Sequence, residues 1–289
     1  MAWRNRRTAL RAILQGSACL RPASVYDAIS IRIADDLGFE LGMFGGSVAS
    51  LAILGDPDVA LITLSELAEQ MRRMSRAAAL PVLVDADHGY GNALNVRRTV
   101  QELEAAGAAG LTIEDTLLPQ AYGEAQPQLI SPEEGLGKIK AALDARLDPS
   151  LVIVGRTGAC GISSLGDAIA RAVAYEAAGV DALFFTGVKM RDQLDAISAA
   201  TKLPIIIGSP TAELTDFHYL AQRRVRIAIQ GHAPISAAIE AVHQTLAAIK
   251  AGAAPKQLKG LASAELMNQV TRADLVEERE AHFLGRGEK

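Results

Sequence analysis

Short apolar runs alternate with longer stretches of helical spacing along nearly the whole chain. Runs of four to six mostly apolar residues, bounded by glycine, proline or polar clusters, are the pattern of strands buried on both faces, as in parallel sheets. They fall at 20–25, 41–44, 82–85, 109–113, 151–154, 182–185, 204–207 and 225–229. Between them the apolar positions take a helical period over 28–37, 63–79, 93–106, 165–178, 193–201, 214–222 and 234–250, and another helix starts at Ser131. Punctuation supports the helices. Thr63-Leu64-Ser65-Glu66 is a capping box, Gly107 closes the helix over 93–106, and Ser131-Pro132-Glu133-Glu134 supplies a cap, a first-turn proline and first-turn acids. Eight strand–helix units in series predict an α/β fold of the (β/α)₈ TIM-barrel type. An open doubly wound sheet is the alternative, but no Gly-x-Gly-x-x-Gly follows any of these strands.

No linker or shift of composition divides the chain, so residues 1–289 read as a single domain with the barrel over about 17–251. Ahead of it, Trp3-Arg4-Asn5-Arg6-Arg7 and the apolar positions at Ala9-Leu10 and 12–14 predict an amphipathic surface helix, with a transit peptide as the weaker reading. Beyond it, a tail over about 255–285 carries Leu258, Leu261, Leu266, Met267, Val270, Leu275 and Phe283 as a helical apolar stripe. That stripe must be buried on the barrel or on another subunit, and a subunit contact is the expectation.

Composition narrows the function classes. Hydrophobic residues make up 49% of the chain but aromatics only 4%, which means a core of alanine, leucine, isoleucine and valine. A net charge of −4 and a pI near 5.8 give no basic field for nucleic acid. Two cysteines, Cys19 and Cys160, cannot form a disulfide framework and fit a reducing, cytoplasmic setting. No apolar run approaches the roughly 20 residues that span a bilayer.

Candidate chemistry collects where barrel strands end at their carboxyl termini. There the sequence places Ser47 after the Gly45-Gly46 turn, Asp85 and Asp87 after the third strand, Glu114 after the fourth, Arg156 after the fifth and His232 after the eighth, with Asp58 in the second loop. Strand alternation would send Asp85 and Asp87 to one side. Four carboxylates beside one arginine and one histidine call for a compensating cation, and hard oxygen ligands suit Mg²⁺, which usually keeps waters and takes one or two carboxylates. On this reading Asp85 is the direct ligand, Asp58, Asp87 and Glu114 act through water, and Arg156 is free to grip a substrate carboxylate bidentately. The plainer account has Arg156 as a structural partner of nearby acids, Asp27 and Asp115 bonding only to backbone, and His88 bracing the loop.

These residues resemble the isocitrate lyase/phosphoenolpyruvate mutase superfamily. The resemblance rests on Gly46-Ser47, Asp85-Ala86-Asp87-His88-Gly89-Tyr90-Gly91, Ile113-Glu114-Asp115 and Arg156-Thr157, and runs over about 24–249. It implies a Mg²⁺-dependent barrel (Mn²⁺ a possible substitute), α-keto or 2-hydroxy acid chemistry, a homotetramer built as a dimer of dimers, and a C-terminal helix exchanged between subunits. Lyases of the family carry a Lys-Lys-Cys-Gly-His loop after strand four; here 117–123 contains no cysteine, and Thr186 stands where several lyases keep a glutamate. The bacterial oxaloacetate decarboxylase branch is matched more fully, through 45–51, 87–96, 114–119 and Gly231-His232-Ala233, with Gly158 and Ser209 as departures. That branch implies loss of CO₂ from oxaloacetate through a metal-stabilised enolate, with Ser47, Gly46, Arg156 and His232 on the substrate. Lyase or phosphonopyruvate-hydrolase chemistry, a Schiff-base aldolase using Lys189, and a non-catalytic keto-acid-binding barrel are the alternatives.

Overall fold

The computed structural model describes residues 2–285. Eight parallel strands pair in chain order in one curved sheet: β1 (Ala23–Ser24), β2 (Gly42–Phe44), β3 (Val82–Asp85), β4 (Gly110–Glu114), β5 (Val152–Thr157), β6 (Ala182–Phe185), β7 (Ile205–Gly208) and β8 (Val225–Ile229). The fold is of the TIM-barrel type. Pro22 has no N–H to offer a ladder, so the expected strand over 20–25 is cut to two residues with an outlier, Leu20. Leu20 forms an isolated parallel bridge with Ile227, its N–H donating to Arg226 O at 2.8 Å and its carbonyl accepting from Ala228 N at 2.9 Å. That bridge brings the first crossing of the chain back to the last strand.

The chain divides into two compact units at His232/Ala233. The first holds every strand together with α1 (Ala2–Gln15), α2 (Ala28–Asp36), α3 (Gly46–Ala49), α4 (Leu64–Ala77), α5 (Ala93–Ala106), α6 (Pro132–Ala145), α7 (Ala159–Ile162), α8 (Leu165–Ala178), α9 (Arg191–Ala200) and α10 (Phe217–Gln222). The predicted start signals operate as read. Thr63 Oγ1 accepts from Glu66 N at 3.3 Å while Glu66 Oε2 accepts from Thr63 N at 2.9 Å, and Ser131 Oγ accepts from Glu134 N at 3.1 Å. The helix expected over 214–222 begins only at Phe217, where Asp216 caps it.

α1 is more than a surface helix. Leu10 and Leu14 join Met43, Leu83, Val152 and Ile206 in the barrel's core. Room for Leu10 comes from Gly110, where a Cβ would lie 2.9 Å from Leu10 Cδ2. A barrel interior must be filled by side chains, and here an arriving helix fills its amino-terminal end.

The second unit contains α11 (Ala233–Lys250), α12 (Ala264–Thr271) and α13 (Ala273–Leu284). The single stripe expected of the tail is broken at Arg272, whose left-handed φ of 62° separates α12 from α13. Of the stripe, Val270 is buried while Leu266, Met267, Leu275 and Phe283 are exposed.

Candidate active site

The carboxyl ends of β2 to β6 surround a cavity of about 430 Å³ whose wall includes Ser47, Asp58, Asp85, Asp87, Glu114 and Arg156. Strand alternation is not what unites the two aspartates. β3 stops at Asp85, and the chain then turns through Asp87 (φ 46°), Gly89 (79°), Tyr90 (61°) and Gly91 (144°). Left-handed backbone costs a non-glycine residue about 1–2 kcal/mol, so this loop needs anchors. Glu114 N donates to Asp87 O at 2.9 Å, Lys138 Nζ to His88 O at 3.0 Å and Thr99 Oγ1 to Gly89 O at 3.0 Å. His88 thus braces the loop through its carbonyl.

Arg156 is the hub of the charged groups. Its Nη1 donates to Asp85 Oδ2, its Nε lies 3.0 Å from Glu114 Oε2 without the alignment of a hydrogen bond, and its Cζ sits 5.1 Å from the Phe184 ring centroid. Thr112 Oγ1 fixes the other oxygen of Asp85 at 2.9 Å. Asp85 takes one N–H of Nη1 and Glu114 flanks Nε, which leaves Nη2 and the second N–H of Nη1 as the donors for a substrate carboxylate. Burial, reinforced by Asp85 and Glu114, pushes Asp87 well above the usual carboxylate range. Burial likewise lifts Glu114 to about 7 against the pull of Arg156. Burial opposes the charge on Arg156, but Asp85, Glu114 and Asp87 more than offset it. Negative charge is in excess.

The Gly45-Gly46 pair does not work as a flexible turn. Gly45 has φ −85° and Gly46 opens α3, conformations open to any residue. Space is the reason for both glycines. A Cβ on Gly46 would lie 2.7 Å from Asp87 Oδ1, and one on Gly45 would lie 3.0 Å from His232 Cε1. Beside them Ser47 Oγ donates to Asp58 Oδ2 at 2.5 Å. His232 is not on the cavity wall; it stands against Gly45, with Nδ1 3.0 Å from Ser24 Oγ. Burial lowers its pKa, against Asp85 and Asp58, which favours the neutral ring. The tautomer in which Ser24 donates to Nδ1 leaves Nε2–H as a donor.

Other candidates fall outside. Asp27 Oδ1 caps α2 by accepting from Ser30 N at 2.7 Å, and Asp115 is buried against Arg171 Nη1 (3.1 Å) and Tyr175 OH (3.0 Å). Lys189 is exposed and absent from the cavity wall, and burial raises the Cys160 thiol to about 11. Sequence reasoning missed Thr112, Ser24, Phe184 and Lys138. Only Thr112 carried a signal, as a hydroxyl inside an apolar strand. Among the described residues no three metal-ligating side chains gather closely enough to cage an ion alone. The all-oxygen, acid-rich donor set nevertheless suits a hard dication with one direct carboxylate and several waters.

Residues 10–250 match the family model described as phosphoenolpyruvate phosphomutase. An oxaloacetate decarboxylase of Rhodopseudomonas palustris (strain BisB5) is 85% identical over 285 residues, 99% of each chain. A Bradyrhizobium (strain BTAi1) oxaloacetate decarboxylase is 71% identical over 287 residues, 99% of this chain and all of that one. Among solved structures, a phosphonopyruvate hydrolase complexed with oxalate and Mg²⁺ superposes with a TM-score of 0.85 at 29% identity, covering 96% of this chain and 99% of the other. Barrel, rim chemistry and kinship agree: the chain belongs to the phosphoenolpyruvate mutase/isocitrate lyase superfamily.

Proposed function

We propose that this protein is a carboxy-lyase that converts oxaloacetate to pyruvate and CO₂ with a divalent cation. The observation that carries the reading is the acid-rich cavity at the strand ends, in a chain 85% identical to a protein named oxaloacetate decarboxylase. Asp85 would hold Mg²⁺, or Mn²⁺ in its place, directly, with Asp58, Asp87 and Glu114 acting through water. When bound, the cation supplies Lewis-acid polarisation of the keto group. Arg156 and the Gly46-Ser47 turn hold the near carboxylate and fix the C3–C4 bond for cleavage. His232 stands behind Gly45 and off the cavity wall, so its Nε2–H, in the neutral ring, serves the keto end, where negative charge develops, only if the substrate reaches past Gly45. The product takes its proton from water, so no cysteine acid is required.

The two unpaired cysteines suit a reducing cytoplasm, and no helix among the described residues is long and apolar enough to cross a membrane. Ile239, Val242, Leu246 and Ile249, exposed at helical spacing on α11, support a homotetramer in which the C-terminal helices are exchanged. Light scattering reports that assembly.

The test compares wild type with Asp85→Ala, Arg156→Ala and His232→Gln across a panel of keto acids, against a metal-only blank. Pyruvate formation from oxaloacetate is expected in the wild type, to be abolished by EDTA and to fall about 10³-fold or more in Asp85→Ala. Unchanged turnover in Asp85→Ala removes the metal role, and normal oxaloacetate turnover in His232→Gln removes the assignment to this branch.

A further inference from the structure

The cavity is chemically lopsided. Its β2 and β3 side carries Asp58, Asp85 and Asp87, and Arg156 rises from β5, whereas the loops after β5 and β6 bring Gly158, Gly161, Ile162, Thr186 and Gly187, none of them ionisable. The neutral side is tightly assembled. A Cβ on Gly187 would lie 2.8 Å from Gly161 N, so the loops after β5 and β6 touch backbone to backbone. Ile162 folds over Gly158: a Cβ there would meet Ile162 Cδ1 at 3.1 Å and Thr186 Oγ1 at 3.3 Å. The isoleucine therefore fills the space that a longer residue at 158 would claim. Gly161 N and Thr186 N are already committed, to Gly158 O at 3.0 Å and to Thr157 O at 3.1 Å. The side chains that this wall presents to a ligand are one isoleucine and one threonine hydroxyl.

We propose that this neutral wall receives the carboxylate that leaves, and that Ile162 sets both rate and specificity by denying that carboxylate solvation. The inference rests on the decarboxylase reading above. In a dianion anchored by one carboxylate at Arg156 and Ser47 the other is repelled by Asp58 and Asp87, and the loops after β5, the strand that carries Arg156, and after β6 offer it a neutral stretch of lining. There a carboxylate meets one hydroxyl and no other donor side chain, which is costly while it bears charge. As the C3–C4 bond breaks, its electron pair passes to C3 and delocalises toward the keto oxygen, CO₂ departs neutral, and C3 later takes one proton from water. Charge moves off the wall toward Arg156. The penalty falls on the bound substrate and is relieved in the transition state, which raises kcat.

Ile162→Gln places an amide donor on the wall at nearly constant length. The expected result is a fall in kcat of about tenfold, with KM unchanged or lower, because substrate gains what the transition state loses. The inhibition constant of oxalate, which has no departing arm, stays within about twofold of wild type. So does the rate of C3 hydrogen–deuterium exchange in pyruvate, and Ile162→Val restores kcat. Ile162→Thr repeats the test with a smaller polar group, and thermal melts confirm that the variants fold. A normal kcat in folded Ile162→Gln and Ile162→Thr overturns the proposal, as does an oxalate constant that moves as far as KM. Wild type without oxaloacetate turnover would instead sink the decarboxylase reading itself.

Discussion

The two ends of the barrel make a controlled comparison, because each brings arginines and carboxylates to a cleft. At the amino-terminal end the cleft is the larger, about 570 Å³, and Trp3, Arg7, Glu104 and Asp148 line it. Its polar groups are closed upon one another. Arg7 donates from Nη1 to Asp148 Oδ2 (2.8 Å), from Nη2 to Glu104 O (2.8 Å) and from Nε to Ala108 O (3.2 Å). Glu104 in turn accepts from Asp148 N at 2.7 Å and Leu147 N at 3.0 Å. At the carboxyl-terminal end the cavity is smaller, yet Arg156 Nε on its wall, and His88 Nδ1 and Tyr90 OH in the loop after β3, are buried with no hydrogen-bond partner, and on the wall carboxylates outnumber cations. Cleft size would choose the wrong end. Within the clefts themselves, unmet bonding capacity separates one built for ligand from one built for stability.

If that distinction holds, a small change at the upper rim should cost activity rather than stability. Gly46→Ala is the sharpest case, since the backbone at Gly46 is helical and tolerates alanine. The added methyl would lie 2.7 Å and 2.9 Å from the two Asp87 oxygens and force that carboxylate aside. Displacement of a reacting group by about 1 Å can cost about 10²-fold, and kcat/KM for oxaloacetate should fall by about that much. Steady-state kinetics beside a melting curve checks it. Full activity with a large loss of stability would reverse the assignment of the two rims.

The lower rim should answer in the opposite currency. Arg7→Met strips the guanidinium from buried Glu104 and half-buried Asp148, and removing one partner of a buried pair typically costs about 3–5 kcal/mol. The lower figure is expected, because Glu104 keeps its two backbone donors. Urea denaturation measures the loss, and turnover per folded molecule should stay within about twofold of wild type. A stable but inactive Arg7→Met would show the two ends to be coupled.

The comparison also marks what could be read from sequence. Eight apolar runs, the Thr63-Glu66 box, and the helix over 93–106 closed by Gly107 needed only local spacing and backbone preference, and the barrel followed. So did the gathering of Asp58, Asp85, Asp87, Glu114 and Arg156, because strand ends in a barrel share one rim. Packing was not legible. The glycines at 45 and 46 looked like turn residues, but they serve neighbours that arrive from positions 87 and 232. Leu10 and Leu14 looked like one face of a surface helix, because the void they fill depends on Gly110, a hundred residues away. Arg156 looked free for substrate, since its engagement with Asp85 and Glu114 depends on how three strands align side by side. The register could have offered Thr112 opposite Asp85, but register is itself a product of the fold.

The smallest expected effect tests whether the lower rim is quiet throughout. Gly107 closes α5 with φ 94°, and a Cβ there would fall 1.4 Å from Trp3 Cζ3, inside the indole ring. Gly107→Ala must therefore displace Trp3, the one tryptophan in the chain, and hold alanine in left-handed backbone at about 1–2 kcal/mol. An indole pushed from its seat on Gly107 meets more water, so the emission maximum should shift to the red. Stability should fall by no more than that strain plus lost ring packing, less than in Arg7→Met, while turnover is unchanged. Fluorescence, melting temperature and kinetics on one preparation decide the matter. A red shift accompanied by lost turnover would mean that α1 transmits through the barrel core to the upper rim, since Leu10 and Leu14 pack beside Met43 and Leu83, on strands that lead to the acid cluster.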